Sequence, residues 1–349
     1  MLKKLICLLS ALTLGLSAVS CKESDSESSQ KTVTYDTDFN FSESFFLPTT
    51  PPMCEYTYKF FSADVERIND LVETAFGQGS FGRGKGDKGI TYSTSGDYTN
   101  YNWYDETEQL SAYLDELGSF SYFKGKYSLK YNDNEDIKLT MTDMVFAESF
   151  DKSVTLDNKT VTYNTLTLDA QDRIKECLDA TGSAMEFTPI AAKEYSDDSG
   201  KLICVCLDYA AKFGTGCMTT EGLPEGDNSF SNSFAAVAYP RIHAYYYTTD
   251  DIQGVWVQNT QLDEVKEGKV LEGLDAESAL KKLNENCPFT PKDLTLLHAQ
   301  LEYRPVDEKD GVMTARPYWC FYYINDKGER GTLAVDAVSG SISQSELQA

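Results

Sequence analysis

The most conspicuous chemical motif is a glycine-rich stretch, Gly77 to Gly89, whose first six residues match the G-x-G-x-x-G pattern of dinucleotide-binding loops. In those loops the glycines stand between a strand and the start of a helix, so that helix N–H groups face a phosphate. Here the apolar spacing predicts a helix that ends at Gly77 and a strand after Gly89. A P-loop would also need Ser or Thr after Lys85, where glycine stands. We therefore predict a mobile loop in which Arg83, Lys85 and Lys88 form a basic island, a candidate partner contact.

The sequence contains no complete catalytic motif. An S-x-x-K pattern begins at Ser121, but the K-T-G segment of penicillin-binding enzymes is missing and the serine falls in a strand-like run instead of at a helix start. The G-x-S-x-G motif of α/β-hydrolases is absent from the sequence. Cys217 or Cys287 could pair with His243 or His298, yet no local signature supports a cysteine nucleophile. We predict no catalytic residues and no enzymatic activity.

The cysteines do not have the spacing of a metal site. Cys204 and Cys206 stand two residues apart, which places both on one face of a strand, whereas zinc sites favour C-x(2–4)-C pairs together with histidines. The sequence has 2 histidines, far apart. Beyond residue 21 the number of cysteines is odd, so at least one thiol is free in the monomer. We predict that most of these cysteines are small buried hydrophobic side chains, and we predict no metal site and no cofactor.

Aromatic side chains cluster in two segments, 92–104 and 243–249. Such clusters can form stacking surfaces for a sugar or a protein, but strands that are half buried favour the same residue types. The candidate partner contacts among them are Tyr98, Tyr101, Trp103, Tyr245 and Tyr247.

The N-terminus has the layout of a secretory signal peptide. Lys3 and Lys4 precede an apolar run, Leu5 to Ala18, that as a helix would rise about 21 Å, too short for the roughly 30 Å hydrocarbon core of a bilayer. The residues that end at Cys21 resemble the lipobox of bacterial lipoproteins, and this resemblance implies that Cys21 is lipidated and begins the mature chain. We expect a lipid-anchored protein on the extracytoplasmic face of the cell membrane.

The composition excludes some function classes. The formal net charge is −24 at pH 7, which disfavours a nucleic-acid partner because phosphate neutralisation needs clustered Lys and Arg. The same acidity disfavours lying flat on an anionic membrane surface. The apolar share of 41% is that of a folded chain and not of a disordered one.

The order of predicted elements indicates an α+β protein built from repeated units. Each unit is a helix followed by a meander of antiparallel strands, with the helices packed on curved antiparallel sheets. The predicted helices begin at Ser62, near Asp169 and after a cap at Asp275. The predicted divisions are a signal peptide at 1–20, the lipidated cysteine and a polar tether at 21–50, and units at 51–165, 166–265 (with a glycine-rich insertion) and 266–349.

The last unit resembles the PepSY-type module and the related YycH/YycI fold of Gram-positive extracytoplasmic regulators. The resemblance rests on the segments Leu301 to Pro305, Ala315 to Tyr323 and Val335 to Gly340, which match a Trp-bearing strand, a hairpin and a closing Val-Asp-Ala-x-x-Gly turn. The whole chain resembles an uncharacterised class of Firmicutes lipoproteins. The resemblance implies a non-catalytic module that contacts a protein or a peptide.

These observations predict a membrane-anchored binding or regulatory module for a protein or peptide partner at the cell envelope. The alternative is a glycan- or cell-wall-binding lipoprotein that uses the tyrosine and tryptophan clusters. A hydrolase with an unrecognised site is the least favoured possibility.

Overall fold

The structure is a computed structural model that describes residues 35–77, 88–95, 98–105, 109–125, 139–218, 241–258 and 261–346. The chain from Asp36 onward forms one compact unit. The predicted signal peptide, Cys21, the tether up to residue 34 and the insertion at 219–240 lie outside the described residues.

Strands dominate the described part of the chain. The α-helices described are α1 (Ile68–Phe76), α2 (Tyr163–Thr181) and α3 (Ala276–Asn286). Short 3-10 turns lie at Val65–Arg67, Ala147–Ser149 and Pro291–Asp293. The strands are β1 (Asn40–Phe41), β2 (Met53–Phe60), β3 (Lys88–Ser95), β4 (Tyr98–Asp105), β5 (Leu110–Asp115), β6 (Phe120–Lys124), β7 (Thr140–Phe146), β8 (Ser153–Leu156), β9 (Lys159–Thr162), β10 (Phe187–Ser196), β11 (Leu202–Phe213), β12 (Gly216–Met218), β13 (Arg241–Tyr246), β14 (Gly254–Gln258), β15 (Leu262–Leu271), β16 (Leu294–Lys309), β17 (Val312–Asn325), β18 (Arg330–Asp336) and β19 (Ile342–Glu346).

Nine strands pair side by side, all antiparallel, in the order β7-β10-β11-β13-β14-β6-β5-β4-β3. We call this the nine-stranded sheet. Its centre is the pairing of β14 with β6, in which Trp256 lies opposite Ser121. Strands from two separate parts of the chain therefore share one sheet.

The remaining strands of the large sheet are built around the long hairpin of β16 and β17, and we call this part the C-terminal sheet. One side of β17 pairs with β18 over Tyr318 to Ile324 and with β2 over Met313 to Ala315. β19 pairs antiparallel with β18, and β15 pairs antiparallel with β2. β12 pairs antiparallel with the end of β11 and parallel with β16, so it joins both parts into one mixed sheet of 17 strands. β8 and β9 form a separate hairpin.

Local sequence signals explain where the helices begin and end. α1 ends at Gly77, whose φ of 62° is a left-handed conformation that glycine adopts without a steric penalty, as predicted. The first turn before α1 is capped by Asp64 and not by Ser62. α2 begins earlier than predicted because the hydroxyl of Thr162 accepts the N–H three residues on. The predicted cap of α3 is confirmed, since the Asp275 carboxylate accepts a backbone N–H at 2.7 Å.

α1 and α2 pack on one face of the nine-stranded sheet. The ring of Phe76 lies 5.1 Å from the ring of Trp103, which is buried. The hydroxyl of Tyr246 donates to the backbone carbonyl of Leu166 at 3.0 Å. Because strand side chains alternate, the residue before Tyr246 points to the opposite face of the sheet. This opposite face carries the candidate site described below.

The prediction of repeated helix-on-sheet units is wrong. The fold is mostly β, with one large mixed multi-strand sheet. The strands of the expected first and second units pair with each other, β6 with β14 and β7 with β10, instead of forming separate meanders. β2, from the expected first unit, pairs with β15 and β17. Long-range pairing overrode the local helix-and-meander order because a strand's preference depends on its packing against neighbouring strands more than on its local sequence.

Buried residues and a strand lie before the predicted boundary at residue 51. Phe39 and Phe45 are buried, and β1 pairs in parallel with β16 through Asn40 and Thr295. This part of the predicted tether is therefore integrated into the C-terminal sheet.

Candidate functional site

Four polar side chains meet on the face of the nine-stranded sheet that is opposite α1 and α2. Cys206 and Asp208 are alternate residues of β11, so both point to the same side. The strand register places His243 of β13 opposite Asp208 and Lys193 of β10 opposite Cys206. We call these four residues the Asp208 cluster.

The Asp208 carboxylate is the centre of the cluster. Its Oδ1 atom lies 2.7 Å from Nδ1 of His243, and its Oδ2 atom lies 2.6 Å from Nζ of Lys193. The Cys206 Sγ atom lies 3.5 Å from Asp208 Oδ1 and 3.8 Å from His243 Nδ1. Each carboxylate oxygen therefore has its own partner, and the thiol touches the pair formed by Asp208 and His243.

The cluster is nearly buried but reaches solvent. The exposed fractions of the side chains are 10% for Asp208, 13% for His243 and 24% for Lys193. Burial by itself would raise the pKa of the Asp208 carboxyl, but Lys193 and His243 outweigh it and hold that pKa well below its usual range. Burial by itself would lower the pKa of Lys193, but Asp208 raises it above its usual value. Both groups are thus charged at neutral pH.

The Cys206 thiol is protonated at neutral pH. Burial, followed by the charge of Asp208, raises the pKa of Cys206 well above its usual range. In a cysteine nucleophile assisted by an Asp-oriented histidine, the thiol and the carboxylate contact different ring nitrogens. In the Asp208 cluster both contact Nδ1 of His243. The geometry does not provide an activated cysteine nucleophile.

Aromatic rings surround the cluster. The ring of Trp256 lies 5.6 Å from that of His243, and the ring of Tyr245 lies 6.2 Å away. Tyr245 packs with Phe123 and Cys206 in a hydrophobic group, against which Trp256 also packs. This apolar wall reduces the local dielectric constant and strengthens the charge pairing within the cluster.

The cluster also offers three metal-ligand atoms. The thiol of Cys206, a carboxylate oxygen of Asp208 and a ring nitrogen of His243 lie within 4.8 Å of one another. Among the described residues, these three are the one group of at least three His, Cys, Asp or Glu side chains whose ligand atoms lie that close together. The sequence prediction of no metal site considered the cysteines and histidines separately. A polar Asp that continues the Cys-x-Cys alternation of an apolar strand was the signal that could have found the site.

The structure describes the side chains of four of the eight predicted partner-contact residues. Arg83 and Lys85 lie outside the described residues, and Lys88 and Tyr98 are described only as backbone, in β3 and β4. Tyr101 is half buried.

The other three predicted contact residues require a correction. Trp103, Tyr245 and Tyr247 are buried, with exposed fractions of 1%, 5% and 7%. At this degree of burial their rings pack within the protein and are not available as stacking surfaces. The alternative of glycan binding through these rings loses its support.

The prediction that most cysteines beyond residue 21 are buried is confirmed, since six of the seven are buried. Cys54, Cys177, Cys204, Cys206, Cys217 and Cys320 are buried and Cys287 is half buried, all as free thiols. Ser121, the start of the S-x-x-K pattern, is a buried residue of β6, as the strand-like spacing predicted.

No protein-family model and no curated protein matches the chain. Among solved structures, the crystal structure of an uncharacterized protein from Eubacterium rectale ATCC 33656 is similar, with a TM-score of 0.58 and 13% sequence identity over 88% of this chain and 92% of that chain. At 13% identity this similarity establishes that the two proteins share a fold.

In the described part of the chain, no helix is long and apolar enough to cross a membrane.

Proposed function

We propose that the protein is a non-catalytic binding module, anchored through Cys21 to the extracytoplasmic face of the membrane, that captures an extended segment of a protein or peptide partner. The observation that carries this proposal is the edge of the nine-stranded sheet at β7. β7 pairs with β10 on one side, and no described strand pairs with its other side.

The two edges of the large sheet that lie at β7 and β15 differ in how they are protected. Proteins protect edge strands against unwanted pairing with bulges, lysines and prolines. β15 carries two register shifts against β2, together with Lys266 and Lys269. β7, with the sequence TMTDMVF, has neither Lys nor Pro, and its pairing has one register shift. With Asp143 as its one charged side chain, the edge at β7 is less protected than that at β15 and suits addition of a strand from a partner.

A partner strand added at β7 would contact both the main chain and the side chains of this edge. Main-chain groups of β7 that no described strand pairs would supply hydrogen bonds, and alternate side chains would supply specificity. Thr140, Thr142 and Asp143 are exposed on β7. The next strand inward, β10, presents Lys193 of the Asp208 cluster opposite Met144. The same edge therefore combines main-chain pairing with a charged group on the neighbouring strand.

The chemistry of the Asp208 cluster favours binding over hydrolysis. Its charges are paired with one another, and Cys206 is not an activated nucleophile. The least favoured possibility, a hydrolase, therefore gains no support from this cluster.

The test is site-specific photocrosslinking in cells. A photoreactive amino acid replaces Thr140 on β7 or, as the matched control, the exposed Thr155 on the separate β8–β9 hairpin. We expect one stoichiometric protein adduct from position 140 and none from position 155. Thr140→Lys, which places on β7 the kind of charge that protects β15, should prevent capture in a pull-down while circular dichroism stays unchanged. Equal adducts from both positions, or no adduct from position 140, would refute the proposal.

A further inference from the structure

We propose that Cys206, Asp208 and His243 bind one divalent cation of the zinc class through three protein ligands, with a fourth position open to solvent. The donors are a sulfur, a carboxylate oxygen and an imidazole nitrogen, a set that suits zinc, whereas magnesium and calcium select oxygen ligands alone.

The spacing of the donor atoms is close to that of a tetrahedral site. Typical zinc–ligand distances give edges of roughly 3.3–3.6 Å between neighbouring donors. Cys206 Sγ lies 3.5 Å from Asp208 Oδ1 and 3.8 Å from His243 Nδ1. The Asp208–His243 edge is 2.7 Å, a hydrogen bond, which must lengthen by about half an ångström as the cation replaces the shared proton.

The proton balance of binding is defined. The imidazole proton moves to Nε2 or to solvent, so that neutral His243 presents the lone pair of Nδ1 to the cation. The Cys206 thiol loses its proton to solvent and binds as a thiolate. The zinc site therefore takes up one cation and releases at least one proton, and no oxidation or reduction is involved.

Lys193 would not bind the cation itself but would orient one of its ligands, the Asp208 carboxylate. Its Nζ atom holds Oδ2 of Asp208 at 2.6 Å and leaves Oδ1 directed toward His243 and Cys206. Hydrogen bonds of this kind orient ligands in metal centres, and their loss typically weakens metal binding by 10- to 100-fold. The positive charge of Lys193 also offsets one of the two negative charges of the ligand set. Exposure of Asp208 and His243 at 10% and 13% gives the cation a route of entry.

The test is titration of the purified, chelator-treated full mature chain with Zn²⁺ by calorimetry and with Co²⁺ by absorption spectroscopy. We expect one high-affinity site, a thiolate-to-cobalt charge-transfer band and proton release. Cys206→Ser should abolish the band. Cys204→Ser is the matched control, because Cys204 is also buried on the same face of β11 but lies outside the ligand set; this variant should retain the band.

Controls separate a built site from general cation attraction to an acidic chain. Weak surface binding would be competed by millimolar Mg²⁺ and would give no thiolate band. If Cys206→Ser fails to fold, His243→Asn provides the same test and should weaken Zn²⁺ binding by more than about 10-fold. Absence of the thiolate band from the wild-type protein, or equal loss in the Cys204 and Cys206 variants, would overturn the proposal.

Discussion

Asp208 and His243 lie directly opposite each other on neighbouring antiparallel strands, and Oδ1 of the first is 2.7 Å from Nδ1 of the second. The other carboxylate oxygen is held by Lys193 from the strand on the far side of β11. One buried carboxylate thus connects three adjacent strands, β10, β11 and β13.

We expect Lys193→Met to destabilise the protein. The change leaves the nearly buried Asp208 carboxylate without its cationic partner. Removing one partner of a fully buried pair costs about 3–5 kcal/mol, and the partial exposure of Lys193 reduces the expected loss to about 1–3 kcal/mol. Urea unfolding measures this loss. Lys212→Met, which breaks an exposed pair with Glu186, is the control and should change stability by less than about 0.5 kcal/mol. Equal effects of the two changes would contradict the prediction.

Acidification should destabilise the protein through His298. This residue is buried, stacks on Phe146 with ring centroids 4.3 Å apart, and contacts Gln300 through Nε2 at 3.2 Å. Burial lowers the pKa of His298 below its ordinary value of 6.5, and the nearby Glu148 and Glu302 only partly oppose this effect.

The direction of this pH effect on the free energy of unfolding follows from which state of the chain takes up a proton. Below about pH 6.5 the unfolded chain protonates His298 while the folded chain does not, so the free energy of unfolding falls with falling pH, by at most about 1.4 kcal/mol per pH unit. Above that pH the contribution is fully present. The measurement is chemical unfolding of the wild-type protein and of His298→Asn between about pH 5 and 8, the range in which an ordinary histidine changes its charge. An identical pH dependence in the two proteins would exclude this role for His298.

Trp319→Phe should lower stability through one hydrogen bond. Trp319 is fully buried, and its Nε1 donates to the backbone carbonyl of Leu274 at 2.8 Å, just before the cap of α3. Phenylalanine keeps most of the ring but leaves that carbonyl without this donor, at an expected cost of about 1–3 kcal/mol. Trp319→Ala also opens a cavity and should cost about 3–5 kcal/mol. A neutral Trp319→Phe variant in thermal and urea unfolding would show that the hydrogen bond contributes nothing.

Gly118→Ala should be more destabilising than Gly311→Ala. Both glycines have a left-handed backbone, with φ of +83° and +75°, so both substitutions carry a strain of about 1–2 kcal/mol. A Cβ at Gly118 would lie 2.9 Å from Phe61 and 3.1 Å from Gln261, whereas a Cβ at Gly311 would meet nothing within 4 Å. Overpacking adds about 1–3 kcal/mol at Gly118 alone. Parallel unfolding curves measure the difference, and equal costs would refute the steric argument.

Cys21→Ala should release the protein from the membrane. The proposed anchor is a lipid on Cys21, so its loss removes the hydrophobic attachment. Fractionation of cells that express the wild-type protein or the variant measures the distribution between membrane and released material. Cys54→Ala is the control for loss of a cysteine within the fold and should remain membrane-bound. Continued anchoring of Cys21→Ala would exclude lipidation at this position.

Several local features of this protein could be predicted from its sequence. Gly77 ends α1 and Asp275 caps α3, because a helix end depends on the hydrogen-bonding groups of a few neighbouring residues. The alternation of Cys204 and Cys206 and the burial of both followed from the apolar character of one strand. These features need no information about distant parts of the chain.

The sheet and the candidate site were decided by the tertiary structure. Pairing of β6 with β14 and of β11 with β13 depends on how much surface all the strands bury together, and no local pattern specifies it. The same pairing determines that Tyr245 is buried instead of exposed, since strand alternation gives two faces without saying what covers each. It also brings Asp208 to His243 and Lys193, because their contact exists only once β10, β11 and β13 lie side by side in one register.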